Sequence, residues 1–491
     1  MERWPAGPRE ALSTAGSPPI CIVIPVYNGE ARLLRTLESL AAQSFRAWRA
    51  VVVDDGSTDR SRAIAGAFAA RDPRFTVVSQ ANGGVSSAVN RGMAETDSPW
   101  VLFLDADDTL HRDGLKRLAA AAGEGVDIVV GRVTQVTPDG KVWRDARPDL
   151  GRPWEALSRS CAFPVHAALV RRRMVVDLGG WDEGLRTNED WDLWARIARA
   201  GAVFRPIRKV VGYYWNWPSS LSKDRARMAA DALEVLRRIH GPDPRTPPQS
   251  AHAEGLSPDR LGVHALPYLL YLAACEAAEG GRARWLEGAV SPDVGPWAAA
   301  HVRLLGEAVV GGVAEAMAAP PSALAGAWPG LARPLAEVLA RAFPGEAMAA
   351  PRDLMLLVVK DRLGARFGDG AADETPAVTQ LALDLGAGVA APAARPGRGL
   401  AVQVRKAGRS LGVALAPAPP DGRAPDVPAL VLDQFDRFSM QRAARALRPW
   451  RRARFWRSLA RDVLSGGLGR GEGRAAFTRA AACVVRAGMP G

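Results

Sequence analysis

Three groups of acidic residues have the types and spacing to do chemistry: Asp54-Asp55, the run Asp105-Ala106-Asp107-Asp108, and Glu189-Asp190. The first two close strand-length apolar runs, RAVVVDD (49–55) and PWVLFLDAD (99–107). Acidic ends of two strands in one sheet surround a single crevice. There a hard divalent cation offsets the mutual repulsion of the carboxylates and holds a diphosphate. The constellation therefore calls for a metal and a nucleotide. Glu189 and Asp190 lie in TNEDWDLWARI (187–197), where Leu193 and Ile197 recur at i, i+4 as a buried helix face. A carboxylate at a helix start is favoured by the helix dipole and stays ionised, as a modest base. The spacing of Thr187 and Asp190 also fits a capping box.

Positioning these residues takes a sheet. ICIVIPV (20–26), RAVVVDD, FTVVS (75–79), PWVLFLDAD and VDIVVGRV (126–133) are near-continuous apolar runs, as in strands buried on both faces. Amphipathic helical patterns separate them; in the first, Leu33, Leu37 and Leu40 recur at helical spacing. The alternation predicts a doubly wound α/β domain with a mainly parallel sheet and its ligand at the carboxyl ends of the strands. The pattern divides the chain into a tail (1–18), this domain (19–225), a helix and linker (226–256), a helical region (257–370) and a mixed, Pro/Gly-rich, basic region (371–491). Within the last, LAVQVRK (400–406) and LGVALA (411–416) flank an AGRS turn and predict a hairpin.

Five segments occur in one order: IPVYNGE (24–30), VVDDGSTD (52–59), NGGVSSAVNRG (82–92), FLDADD (103–108) and TNEDWDLW (187–194). In them the chain resembles the family 2 glycosyltransferases with the GT-A fold, a Rossmann-like α/β domain, over roughly residues 19–222. The resemblance implies a nucleoside-diphosphate sugar donor (a UDP-sugar is favoured) and a Mn2+ or Mg2+ ion. It further implies single-displacement transfer with inversion to a glycan, lipid-linked or protein acceptor, as in cell-surface polysaccharide synthesis. It makes Pro25, Val26, Tyr27 and Asn28 the nucleoside loop, and Asp55, beside Asp54, the acceptor of a uracil-type N–H. Asn82 and Gly83 become flexible backbone near the donor, and Asp105-Ala106-Asp107 the DxD element, with Asp107 on the metal and Asp105 on ribose or metal. Asp190 becomes the general base for the acceptor hydroxyl, with Glu189 as substitute or helper. His166, in FPVHAALVRR, is a candidate contact to metal or diphosphate, with a structural role as its alternative.

Two positions depart from the pattern: Val89 stands where many relatives carry Arg, and Trp217 where a His commonly precedes Pro-Gly-Ser. Trp191, Trp194, Trp215 and Trp217 are candidates for stacking on a sugar, or for packing. Read locally, Asn28 caps a strand-to-helix turn, and Asp55 or Ser57 caps the helix beginning near Thr58. Two other functions compete. VLFLDADDTL matches the opening motif of haloacid-dehalogenase-like phosphatases, with Asp105 as nucleophile. That motif belongs on a first strand, yet three strand-like runs precede it here. A non-catalytic binding protein that kept the fold is the other, and the intact motif acids argue against it.

With 491 residues, 48% apolar and 24% charged, the chain is globular rather than fibrous or disordered. Its net charge of +12 comes almost wholly from Arg, and with the abundant Gly and Pro it reads as compositional bias rather than a nucleic-acid surface. Cys21, Cys161, Cys275 and Cys483 are far apart, which fits free thiols in a reducing, cytoplasmic setting. The N-terminus lacks an apolar signal core, and the strongest apolar run, Ala265 to Cys275, is eleven residues with Pro267 inside it, so no membrane span is expected. In the stretch Asp433 to Arg461, arginines interleave with Phe455, Trp456 and Leu459. It suits peripheral contact with an anionic membrane, or a packed helix with a solvated basic face.

Overall fold

The computed structural model describes residues 19–146, 150–287, 299–345, 348–365, 378–384, 399–406 and 409–416. The basic segment 433–461, the N-terminal tail and Cys483 lie outside them, and so does the membrane contact read from that segment. The chain forms two compact units that divide between Tyr268 and Leu269.

The first unit is built on nine strands: β1 (Ile20–Val26), β2 (Trp48–Asp54), β3 (Phe75–Ser79), β4 (Trp100–Phe103), β5 (Thr109–Leu110), β6 (Ile128–Val136), β7 (Val142–Ala146), β8 (Ala168–Arg171) and β9 (Phe204–Trp215). Their order is β3-β2-β1-β4-β8-β6-β9-β5, with β7 on β6. β3, β2, β1 and β4 run parallel, β6 and β9 are parallel to each other, and β8 is antiparallel to both of its neighbours, β4 and β6. The expected α/β sheet of GT-A type is therefore present, parallel over β3-β2-β1-β4 and mixed beyond it. All five predicted strands formed. Every residue of β1 is buried, as its unbroken apolar run requires.

Eight helices accompany the sheet: α1 (Leu33–Ala41), α2 (Ser61–Ala69), α3 (Val85–Ala94), α4 (Gly114–Ala119), α5 (Pro153–Leu157), α6 (Arg172–Asp177), α7 (Glu189–Arg199) and α8 (Arg225–His240). The predicted face of α1 is the one it buries, Leu33, Leu37 and Leu40. α3 lies so close to the sheet that a Cβ at Gly92 would stand 2.4 Å from Val23 Cγ1. Trp191 and Trp194, candidates for sugar stacking, are fully buried in α7 and pack the core instead. Trp191 Nε1 donates to Leu157 O at 2.6 Å. The Pro-rich stretch after α8, expected as linker, is held to α7: Arg199 donates to the carbonyls of Arg238, Gly241, His252 and Ala253.

α9 (Leu261–Ala278) crosses the division between the units. With the preceding turn it forms Pro258–Ala278, 21 residues holding a window of mean hydropathy 1.3, the one helix among the described residues long and apolar enough to cross a membrane; half of that window is buried. The second unit continues with α10 (Ala299–Ala316), α11 (Trp328–Ala342) and α12 (Ala349–Arg362). A three-stranded sheet follows: β10 (Val378–Asp384), β11 (Gly399–Lys406) and β12 (Arg409–Ala416). β11 and β12 are the predicted hairpin, while β10 adds a parallel strand that the sequence reading did not foresee.

Candidate active site

At their carboxyl ends β1 and β2 stop together, and Asp55 N donates to Val26 O at 2.9 Å. Pro25 and Val26 are the last residues of β1, and Tyr27 beyond them is 54% exposed. Asn28 turns the chain at φ 49°, a conformation Asn tolerates. Its side chain caps the turn after β2 rather than its own helix, with Oδ1 accepting from Thr58 N at 2.8 Å. Glu30 does the same one turn on, accepting from Arg60 N at 2.9 Å. The two loops are thereby laced into one wall.

Asp54 Oδ1 accepts from Ser57 N, so the strand end secures its own turn. Asp55 is 3% exposed and caps no helix. Its carboxylate accepts from Gly83 N and Gly84 N, both at 2.9 Å, and from Gln80 Nε2 at 2.8 Å. Asn82 Nδ2 donates to the Asp55 carbonyl. Asp55 thus pins the Asn82-Gly83-Gly84 turn, and Oδ2, with a single donor, keeps acceptor capacity for a base N–H. Gly56, at φ 74°, permits the closure, because a Cβ there would lie 2.8 Å from Asn82 N. Gly56→Ala is expected to cost about 1–2 kcal/mol from the left-handed conformation alone and to weaken nucleotide binding. Urea melts and a nucleotide titration check it; unchanged binding would show that this turn does not face the ligand.

The Asp105-Ala106-Asp107 turn follows β4. Leu104 N donates to Val23 O, and Asp108 N to Asp105 O at 3.1 Å, closing a tight turn. Thr36 Oγ1 reaches the carbonyls of Ala106 and Asp108, and Arg35 Nη2 donates to the Asp107 carbonyl. Asp108, the member the motif leaves over, is buried: Oδ1 accepts from Trp215 N at 2.9 Å and Oδ2 lies 3.0 Å from His166 Nδ1. His166 is itself fully buried, against Gly212 on the other side. His166 thus packs behind Asp108, next to the Asp105-Ala106-Asp107 turn, and the Trp217 indole, a donor only, offers no metal-ligating atom. Among the described residues no three His, Cys, Asp or Glu side chains form a set that could hold a metal ion.

The carboxylates nevertheless fit a divalent ion. The Asp105 carboxyl is pushed well up by burial, then by Asp108, Asp107, Glu189 and Asp190. Asp107 is raised to about 6 by burial and Asp108. A divalent cation would offset this concentration of negative charge. Mg2+-type ions are commonly held by one or two carboxylates plus ligand phosphates, without an all-protein cage. Asp107 and Asp105 are the residues that would hold it.

Facing them is the start of α7. Asn188, at φ 57°, precedes the helix. Thr187 and Asp190 do not form the capping box their spacing allows. Thr187 donates from both N and Oγ1 to Asp231 Oδ2, and Asp190 Oδ1 instead accepts from Trp191 N at 2.7 Å. Cys161 Sγ lies 3.5 Å from Asp190 Oδ2. Burial raises the Asp190 carboxyl above its usual range. Glu189 is pushed up to about 8, by burial first and then by Asp190, and its Oε2 has no hydrogen-bond partner. Asp231, Cys161 and Arg32, which touch the motif residues from outside, carry no motif signal.

A carboxyl whose folded pKa exceeds its unfolded value takes up a proton on folding. Its contribution is full below pH 4.5 and is lost as pH rises toward 8. Glu189→Gln is expected to flatten that decline in urea melts between these pH values. Parallel profiles for the two proteins would contradict it.

The Glycosyl transferase family 2 model matches residues 21–178, and the Glycosyl transferase family group 2 model residues 100–275. The glycosyltransferase GlyA of Streptococcus pneumoniae is 37% identical over 113 residues, 23% of this chain and 16% of GlyA, so the chain spans only a small part of that relative. Among solved structures, the mannosyltransferase PcManGT from Pyrobaculum calidifontis, in complex with GDP-Man and Mn2+, aligns at TM-score 0.40 and 21% identity over 56% of this chain and 79% of its own, too loosely to transfer chemistry. The PGL/p-HBAD biosynthesis glycosyltransferase of Mycobacterium bovis is 34% identical over 203 residues, 40% of this chain and 77% of its own length. On that extended match and the two family models, the chain belongs to the family 2 glycosyltransferases.

Proposed function

We propose that the protein transfers a sugar, with inversion, from a nucleoside diphosphate to a hydroxyl of a glycan, lipid-linked or protein acceptor in cell-surface polysaccharide or glycan synthesis. The observation that carries this reading is the gathering of Asp107, Asp108, Glu189 and Asp190 around Asp105, whose carboxyl burial and these neighbours push well up. Carboxylates more than 80 residues apart in sequence thus lie near enough to act on one another. In the reaction, Asp190 accepts the proton of the acceptor hydroxyl as its oxygen attacks the anomeric carbon. The bond from that carbon to the diphosphate oxygen breaks, and the nucleoside diphosphate leaves with the electron pair. Burial makes Asp190 a stronger base than an exposed carboxylate once it is ionised. A divalent ion on Asp107 and Asp105 would supply positive charge to the departing diphosphate. The Tyr27–Asn28 turn and the Asp55-pinned glycine turn bind the nucleoside, and a UDP-sugar is the donor. A cytoplasmic location belongs to the same proposal, in keeping with the reduced thiols of Cys21 and Cys161.

Thermal shift with UDP- and GDP-sugars tests the donor assignment, because a ligand of the native state raises its stability. A UDP-sugar with Mn2+ is expected to give the largest increase. No shift with any nucleotide sugar would contradict the function.

A further inference from the structure

We propose that Arg32 is the protein's own diphosphate-binding cation, a second positive charge that acts beside the divalent ion on Asp107; this rests on the function proposed above and deepens it. Arg32 lies between the Tyr27–Asn28 turn and α1. Its Nη1 is 3.7 Å from Asp107 Oδ2, its Nη2 donates to Ser219 Oγ at 2.6 Å, and its Cζ sits 4.5 Å from the Trp217 ring centroid. Trp217 stacks on Trp215 at 6.0 Å, and the Arg35 guanidinium covers Trp215 at 3.7 Å. Two guanidinium groups and two indoles thus form a wall along the DxD turn.

The geometry holds Arg32 in place without using it up. A guanidinium has five N–H donors in a planar fork, and a separation of 3.7 Å is an ion pair rather than a hydrogen bond. The indole face fixes the plane, Ser219 fixes one corner, and the edge beside Asp107 keeps donors to offer. The side chains of Arg32 and Asp107 are 27% and 31% exposed, so a ligand can reach both. A planar fork on a ring is suited to bidentate recognition of phosphate oxygens. Arg32 and a divalent ion at one carboxylate repel each other, and an anion bearing several charges between them removes the repulsion. A nucleoside diphosphate is such an anion. Arg32 therefore acts against the bare ion and in favour of the diphosphate.

Those opposite signs make the test specific. Full-length wild type, Arg32→Ala and Arg32→Gln are compared by calorimetric titration with Mn2+ alone, with UDP and GDP in the presence and absence of Mn2+, and with uridine and guanosine. The variants are expected to bind the diphosphate about tenfold more weakly, the size of a lost charged hydrogen bond, the nucleoside unchanged and Mn2+ alone more tightly. Undiminished diphosphate affinity in either variant overturns the inference. So does parallel loss of nucleoside, diphosphate and Mn2+ affinity in both, which marks a structural role. A wild type that binds neither UDP nor GDP contradicts the proposed function and takes the inference with it, whereas an unaltered variant beside a binding wild type contradicts the inference alone.

Discussion

Asp190→Asn is expected to lower kcat about a thousandfold, within the range that a positioned general base contributes, while nucleotide affinity stays within about twofold of wild type. The change removes the capacity to take a proton and little else. The carboxamide has the volume of the carboxylate, and its oxygen can still accept from Trp191 N, the bond that orients the side chain. Its nitrogen faces Cys161 Sγ, a weak acceptor. In the proposed site, nucleotide binding rests on the strand-end turns and on Asp105 and Asp107, whereas Asp190 is held by Trp191 N and Cys161. Steady-state nucleotide release and a titration with UDP or GDP measure the two quantities separately. Turnover equal to wild type would remove Asp190 as the base, and loss of affinity together with turnover would show that it shapes the donor site instead.

The second large effect is on stability. Asp192, two residues beyond the proposed base, is 2% exposed and meets three arginines: Arg196 at 2.8 Å, Arg245 at 2.8 Å and Arg238 at 3.2 Å. Arg238 and Arg245 also pair with Asp182. This network joins α7 to α8 and to the stretch after it. Removing Asp192 leaves the buried Arg196 guanidinium without a carboxylate, so Asp192→Ala is expected to cost about 3–5 kcal/mol, or about 10 °C in Tm for a unit of this size. Burial pushes the Asp192 carboxyl up, but Arg196 and Arg245 outweigh it and hold the pKa below the usual 3.8. A depressed folded pKa contributes stability that is present above 3.8 and lost as pH falls through the folded value. The gap between wild type and variant in urea melts should therefore narrow in acid. A loss under 1 kcal/mol, or a gap independent of pH, would show that the network carries little of the fold.

The β3-β2-β1-β4 part of the sheet was legible because each strand there is a short apolar run ending in an acidic or glycine turn. ICIVIPV and RAVVVDD can bury both faces only in the middle of a parallel sheet, and β1 and β2 lie there. The motif acids were legible because their spacing to those strand ends is local. What the sequence did not disclose depends on pairings between distant residues. Asp55 reads as a free acceptor until the backbone brings Gly83 and Gly84 onto its oxygens. The sequence left His166 between a ligand and a structural role, and only the fold brings Asp108 against its Nδ1. Thr187 and Asp190 have capping-box spacing, but Asp231, 44 residues beyond Thr187, takes the Thr187 donors. Arg32 looks like an ordinary helix-start residue until Trp217 and Ser219 return beneath it along the end of β9. β10 escaped because its alternating pattern is short and its partner β11 lies beyond an intervening stretch.

The account stands most directly on the stimulation of nucleotide release by a divalent ion. Release from the best-binding nucleotide sugar, followed with and without Mn2+ for wild type and Asp107→Asn, is predicted to be stimulated by Mn2+ only in the wild type, with the variant at the metal-free background. Equal release by the two proteins, unchanged by Mn2+, would contradict it.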